Sequence, residues 1–381
     1  MKKIAIIFLV LMLVALSFPQ VRRGLLALLV IHDLVPQTKT KWLDYAGKDI
    51  VVEHPEIDFN GEKIETNLYR PKKKGKQAAL VYVHGVNELG KDDPRLDSLA
   101  RSFSRAGFAV LVPQLPDMSP GKLNPKAISE IEKSIEYISQ RKDIIAPEKI
   151  GVLGFSIGSG PAMIAVSNLQ NQIPTKFMIS FGGYYDLREV IGFCTTGHFF
   201  YQGKDYFIEP DPQSRWFFVR YYADFIKNRE DAELLKQIAQ IKIADPAADT
   251  SDMSGRLSAE GKSIFDLITN TDPARVNELT DSLPQELKDF ILKLDPAKQV
   301  ENIPADLFVV HSLNDNVIPF SQSVELYDVF KNKTRTQLYL LKIFSHVNPI
   351  FPPLTFASFF KEYLPEVFQL WRLVYEVLGY L

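Results

Sequence analysis

Cysteine is almost absent from this chain: Cys194 stands alone among 381 residues. That excludes an intrachain disulfide and any zinc site built on cysteine pairs. A strong charge of either sign is also missing. The 44 Lys and Arg stand against 46 Asp and Glu, for a formal net charge of -2. Such a balance lacks the basic footprint of a nucleic-acid binder, so nucleic acid is not an expected partner. Internal repeats and low-complexity segments are lacking too, which excludes solenoids and repeat arrays. What is present is an ordinary globular composition, 46% hydrophobic and 24% charged. A chain of this length can bury a full core and carry a second module.

The N-terminus departs from that ordinary pattern. Lys2 and Lys3 precede an apolar run from Ile4 to Phe18, broken by Pro19. A basic start followed by an apolar run is the layout of an export signal. The run falls short of the ~20 apolar residues of a comfortable transmembrane helix. The nearest small-x-small cleavage triplet, Ala15-Leu16-Ser17, is followed unfavourably by Phe18-Pro19. A second apolar stretch, Leu25 to Val35, follows Arg22-Arg23. The pair reads as an uncleaved anchor, or as a signal followed by a membrane-lying helix. The expected place is therefore membrane-associated and extracytoplasmic, with residues 1–47 as anchor and membrane-proximal helix. The competing expectation is a cleaved signal and a soluble product.

From Asp49 onward strand and helix signals alternate. Ile50 to Val52 and Lys63 to Tyr69 read as an antiparallel pair, with Asn60-Gly61 supplying turn residues. Ala78 to Val83 is apolar throughout, as a strand covered on both faces must be. Leu96, Leu99, Ala100, Phe103 and Ala106 follow helical spacing, as do Ile128, Ile131, Ile135 and Ile138. Strands follow at Phe108 to Val112, Lys149 to Leu153 and Lys176 to Phe181. This alternation predicts an α/β fold with a mostly parallel central sheet covered by helices.

The alternation stops near Leu187 and resumes near Asn302 with strand Leu307 to Val310, helix Val324 to Phe330 and strand Thr336 to Ile343. A final helical stretch runs from Thr355 to Leu378. An interruption this long between core strands is a cap rather than a loop. The expected division is a core of residues 48–187 and 302–381 with a helical cap at 188–301. No strand is expected in the cap. Helices are expected around Arg215 to Ile226, Asp231 to Ile243 and Pro284 to Leu294. Its opening is rich in aromatics, among them Phe199, Phe200, Tyr201, Tyr206, Phe207, Trp216 and Tyr222. They read as cap core, some of them lining an apolar pocket.

Gly154-Phe155-Ser156-Ile157-Gly158 reads G-x-S-x-G, set between an apolar strand and a helix start of small residues. This is the pattern of a nucleophile elbow, a turn that lifts a serine hydroxyl out of the sheet. A serine hydroxyl needs a base, and the base needs an acid to orient it. In this setting the acid and then the histidine follow the serine along the chain. His346, in the loop after the last predicted strand, is the best placed base. Asp315, in the polar loop His311 to Pro319, is the best placed acid, with Asp186 as the competitor. His311 reads as a structural turn residue, and His198 lies in the cap. Two backbone N–H donors are needed for the oxyanion of the tetrahedral intermediate. Ile157 is one. Val86, in the loop His84-Gly85-Val86-Asn87, is the other, ahead of Asn87.

With these motifs in this order the chain resembles the α/β-hydrolases. The resemblance covers about Asp49 to Leu187 and Asn302 to Leu381. It rests on Val83-His84-Gly85, the Gly154 to Gly158 elbow, His311 through Pro319, and Ser345-His346. Asn67 to Pro71, leading into the His84-Gly85 turn, is similar to the dienelactone-hydrolase and acyl-peptidase-like branches. The former use cysteine as nucleophile, so Ser156 departs from them. Haloalkane dehalogenases and epoxide hydrolases carry Asp at the elbow, which disfavours both. The resemblance implies a hydrolase with Ser156, Asp315 and His346 as nucleophile, acid and base, Val86 and Ile157 as oxyanion donors, and no metal or organic cofactor. The expected activity is cleavage of a carboxylic ester, its acyl group apolar or lipid-like, through an acyl-enzyme. A peptidase or amidase with the same triad is one alternative. A non-catalytic binding protein on the same scaffold is the other.

Overall fold

A computed structural model describes residues 17–35, 38–118, 123–350 and 355–381. Its centre is a nine-stranded sheet. The strands are β1 (Ile50–Glu53), β2 (Glu56–Phe59), β3 (Glu62–Pro71), β4 (Gln77–Val83), β5 (Ala109–Pro113), β6 (Ile145–Phe155) and β7 (Thr175–Phe181), then, after the cap's own pair, β10 (Asp306–Ser312) and β11 (Thr336–Leu341). They lie in the order β1-β3-β5-β4-β6-β7-β10-β11, with β2 paired to β3. From β5 to β11 every pairing is parallel, while β1, β2 and β3 join antiparallel. The strand β2 lay below the reach of sequence reading. It closes on β3 through Asn60-Gly61, both at positive φ (54° and 84°), the backbone of a tight hairpin turn.

All of β4 is buried, and its side chains alternate between the two faces of the sheet. Ala79, Val81 and Val83 enter one hydrophobic cluster, and Ala78, Leu80 and Tyr82 the other. That division follows from the two-residue period of a strand. The first cluster lies under α3 (Lys126–Gln140), α4 (Ser159–Asn168) and α10 (Ser321–Phe330). The second lies under α1 (Pro19–Leu34), α2 (Pro94–Ala106) and α11 (Leu364–Val377). In α3 the isoleucines expected to form one stripe are all buried. In α2 the Asp93 carboxylate accepts from the Arg95 N–H, and Pro94 occupies the first turn, where its missing N–H costs nothing.

The cap stands between β7 and β10. It contains α5 (Leu187–Thr196), α6 (Ser214–Tyr222), α7 (Arg229–Ala244), α8 (Ala259–Thr269) and α9 (Gln285–Lys293), and shorter turns. It also contains the antiparallel hairpin β8 (His198–Tyr201) and β9 (Lys204–Phe207), where no strand was expected. The hairpin turns at Gln202-Gly203, both at positive φ (51° and 72°). Aromatics on both of its faces hid the apolar/polar alternation that marks a strand. Phe199 and Tyr201 turn inward, each with its ring 5.2 Å from that of Phe320. Phe200 and Phe207 are exposed.

The apolar run Ile4 to Phe18 lies almost wholly outside the described residues. The second stretch, expected to lie on a membrane, is half built into the domain. Gly24, Ala27, Val30 and Asp33 of α1 are buried, and the Trp371 indole N–H donates to the Gly24 carbonyl at 2.9 Å. The Asp33 carboxylate accepts from the Trp42 and Leu43 N–H groups at 2.8 and 2.9 Å. Among the described residues no helix is long and apolar enough to cross a membrane.

Both crossings into the cap meet at one buried junction. Gln322 of α10 accepts from the Tyr185 and Asp186 N–H groups and donates to Glu189. On the returning side the Ala297 N–H donates to the Tyr185 carbonyl, and the Tyr184 hydroxyl to the Leu294 carbonyl. Burial, then neighbouring carboxylates, pushes Asp295 up to about 6 and Glu325 up to about 7. Between the ordinary carboxylate range and these values the folded state holds more protons than the unfolded chain, so stability falls as pH rises from ~4.3 toward 7. Glu325→Gln removes one such proton. Thermal denaturation across pH 5 to 8 is expected to show a flatter Tm profile for this variant, with its gain over the parent greatest at pH 8.

Candidate active site

Ser156 follows the last residue of β6 and opens a single helical turn, Ser156–Gly158, that leads into α4. Its φ of 52° lies in the left-handed region, which costs a non-glycine residue about 1–3 kcal/mol and persists only where surrounding packing enforces it. The elbow glycines are needed for contact. A Cβ on Gly158 would lie 2.3 Å from the His84 carbonyl oxygen, and one on Gly154 would lie 2.7 Å from the Ser159 Cα. The Ser159 hydroxyl donates to the Gly154 carbonyl at 2.7 Å and ties the turn back to its strand.

His346 stands at the tip of a small hairpin in which β12 (Phe344–Ser345) pairs with β13 (Asn348–Pro349). It too has a left-handed backbone, with φ 53°. Its Nε2 lies 2.6 Å from Ser156 Oγ and its Nδ1 lies 2.7 Å from Asp315 Oδ2. The network assigns the tautomer: Nδ1–H donates to the carboxylate, and Nε2 accepts from the serine hydroxyl. These three residues, far apart in the chain, are thereby joined in one line of hydrogen bonds.

Asp315 is wholly buried. Its Oδ1 accepts from the Val317 and Ile318 N–H groups, each at 2.9 Å. Its Oδ2 faces His346 and also His311, whose Nε2 is 3.2 Å away. Burial opposes ionisation, but the two imidazoles outweigh it and hold the carboxyl below the usual carboxylate range. His311 is itself wholly buried. Its Nδ1 lies 2.6 Å from the Ser323 hydroxyl, and its Nε2 2.9 Å from the Ile318 carbonyl. The expected turn residue is thus a second imidazole against the acid. The available signal was its spacing, four residues before Asp315 at the same strand end. Ser312 links the two loops, donating to the Phe344 carbonyl and accepting from the Asn314 N–H.

The loop after β4 comes up against the serine. A Cβ on Gly85 would lie 3.1 Å from Ser156 Cβ and 3.3 Å from the Phe155 carbonyl oxygen. His84 sets this loop: its Nδ1 lies 2.8 Å from the Gly85 carbonyl, and its Nε2 accepts from the Leu115 N–H at 3.3 Å. Burial lowers its pKa, which favours the neutral ring that this pairing requires. Val86 follows directly. Ile157 lies in the turn opened by Ser156, where N–H groups have no intrahelical partner. The Asn87 side chain is spent on its own loop, accepting from the Leu89 and Gly90 N–H groups.

The remaining candidates lie elsewhere. Asp186 caps α5, accepting from the Glu189 N–H at 3.1 Å, and belongs to the cap junction. His198 pairs with Asp205 in the hairpin at 2.9 Å. Burial pushes the Cys194 thiol up to about 12, which removes it as a nucleophile near neutral pH. The cap nevertheless touches the acid loop. The Asp211 N–H donates to the Asn316 carbonyl at 2.9 Å, and the Phe199 cluster packs on Leu313 and Phe320.

No family model matches the chain, and no curated protein is similar to it in sequence. Solved structures are similar in fold. The acylaminoacyl peptidase of Pyrococcus horikoshii superposes with a TM-score of 0.53 at 16% identity, over 90% of this chain and 44% of that one. This chain therefore spans less than half of the peptidase's length. A Pyrobaculum calidifontis esterase gives 0.47 at 13% identity, over 94% and 91% of the two chains. A thermostable carboxylesterase cloned from a metagenomic library gives 0.47 at 15%, over 89% and 92%.

The choice of acid is open to direct measurement. Proton NMR at acid pH is expected to show a far-downfield His346 Nδ1–H resonance in the parent protein. Asp315→Asn should abolish it and Asp186→Asn should leave it in place. The reverse pattern would assign the acid to Asp186.

Proposed function

We propose that this chain, which has the α/β-hydrolase fold, is a serine hydrolase that cleaves carboxylic esters of apolar acyl groups. The observation that carries the proposal is the hydrogen-bonded line from Ser156 through His346 to Asp315. Ser156 Oγ attacks the ester carbonyl carbon while His346 Nε2 takes its proton. The tetrahedral oxyanion accepts hydrogen bonds from the Ile157 and Val86 N–H groups. Collapse expels the alcohol, which leaves with the proton held on His346. Water then attacks the acyl-serine by the same route, releasing the carboxylic acid and restoring Ser156. Asp315 stays ionised throughout, orients the imidazole and stabilises its cationic form.

The apolar acyl preference is supported by the aromatic opening of the cap, whose inner face packs beside the acid loop. A place at the outer face of a membrane is supported by Lys2-Lys3 and the apolar run that follows. A series of p-nitrophenyl esters of increasing acyl length tests the activity and the preference together. The expected result is turnover that rises with chain length beyond acetate. His346→Asn keeps a residue tolerant of the left-handed turn and should lose about 10³-fold or more in kcat. A rate flat across the series removes the apolar preference. Faster cleavage of an acylated peptide would make the chain a peptidase, and no turnover of either would leave a binding protein.

A further inference from the structure

We infer that α1 and the C-terminal helical segment form one face that rests on a lipid surface. This rests on the membrane-associated reading above and names the surface that makes the contact. Phe18, Val21, Leu25 and Leu28 are exposed, although each is large and apolar. Their spacing places them on one stripe of a helix, opposite the buried Gly24, Ala27 and Val30. A second stripe stands on the segment Phe356 to Leu364 and on α11. Phe356, Phe359, Phe360, Leu364 and Phe368 are exposed, Phe356 at 84%. They recur at helical spacing across a stretch that is helical almost throughout.

The two stripes meet at a seam. Trp371 of α11 donates to the Gly24 carbonyl and stacks on Phe368 at 5.7 Å. Arg23 lies over the Tyr375 ring at 3.7 Å. Large apolar side chains gathered this way on a soluble surface mark a contact face.

The sequence names the occupant. The apolar run Ile4 to Phe18, preceded by Lys2-Lys3, leads directly into the first exposed residues of α1. A chain segment that enters lipid there carries the start of α1 to the lipid boundary. Exposed Arg22, Lys361 and Arg372 stand along the stripes, with Glu362 as the exposed acid beside Lys361. Apolar stripes with basic neighbours suit an interface that includes anionic headgroups.

Full-length protein carrying one added cysteine tests the face. The sites are Leu28→Cys and Phe360→Cys on the face, and Gln170→Cys beyond α4 on the other side of the sheet. Each is made in a Cys194→Ala background, so that the added cysteine is the only thiol, and is labelled with a polarity-sensitive thiol dye. Phosphatidylcholine vesicles containing phosphatidylglycerol are then added. The expected result is a blue shift at positions 28 and 360 and none at 170. In the unlabelled chain, Leu28→Ser with Phe360→Ser should lower vesicle affinity by roughly tenfold or more. Bound protein with both face labels still in water overturns the proposal, because the N-terminal run would then bind alone. Failure to bind vesicles overturns it as well. A blue shift without vesicles, with a doubled mass in solution, would assign the face to a second copy. The dye reads no turnover, so failure of the hydrolase reading leaves this result interpretable.

Discussion

The site depends on one buried carboxylate. Asp315 has no access to water, and an uncompensated charge in that position would cost several kcal/mol. Two backbone N–H groups and two imidazoles compensate it. Hydrogen bonds to a charged group contribute about 1.5–3 kcal/mol each, so those from Val317, Ile318 and His346, with the His311 ring close by, offset the desolvation. The consequence reaches Ser156. A carboxylate fixed in this way fixes the ring of His346, and the ring fixes the hydrogen bond to the hydroxyl. His311 matters here because it approaches the same Asp315 Oδ2 that His346 does, at 3.2 Å. Ser323 and the Ile318 carbonyl hold His311 in turn.

The backbone carries the complementary constraint. Ser156 and His346 both adopt left-handed conformations that neither residue type prefers. Each is forced by its setting: Ser156 by the crowded elbow between β6 and α4, His346 by the tip of its hairpin. Ser312 connects that hairpin to the acid loop, and the cap presses on the same loop through Phe199, Tyr201 and Asp211. The cap is therefore part of what holds Asp315 in place. Its junction at Gln322 and the acidic cluster around it connects this bracing to pH.

The parallel sheet and its covering helices were legible because their side chains obey short periods. Ile128 to Ile138 and Ala78 to Val83 could be assigned to helix and strand from spacing alone. The elbow was legible because its chemistry is local, five consecutive residues between a strand and a helix. Ser156, Asp315 and His346 could be ordered along the chain, but their meeting is a property of three strand ends. The hairpin at His198 to Phe207 was hidden because aromatics fill both faces and erase the alternation. The position of His311 against Asp315 was hidden because a histidine at a strand end has many uses. The role of α1 was divided: its apolar residues showed a helix, but only packing separated the buried Gly24 stripe from the exposed Leu25 stripe.

The proposed lipid-boundary hydrolase joins three observed features: a serine hydrogen-bonded to His346, a braced Asp315 and an exposed apolar face. The proposal stands or falls with Ser156 as nucleophile. Intact-mass measurement and peptide mapping after exposure to a fluorophosphonate test this most directly. A single covalent adduct, located on Ser156, is expected in the folded protein and none after denaturation. A folded protein that takes up no label, or takes it up at another residue, would contradict it.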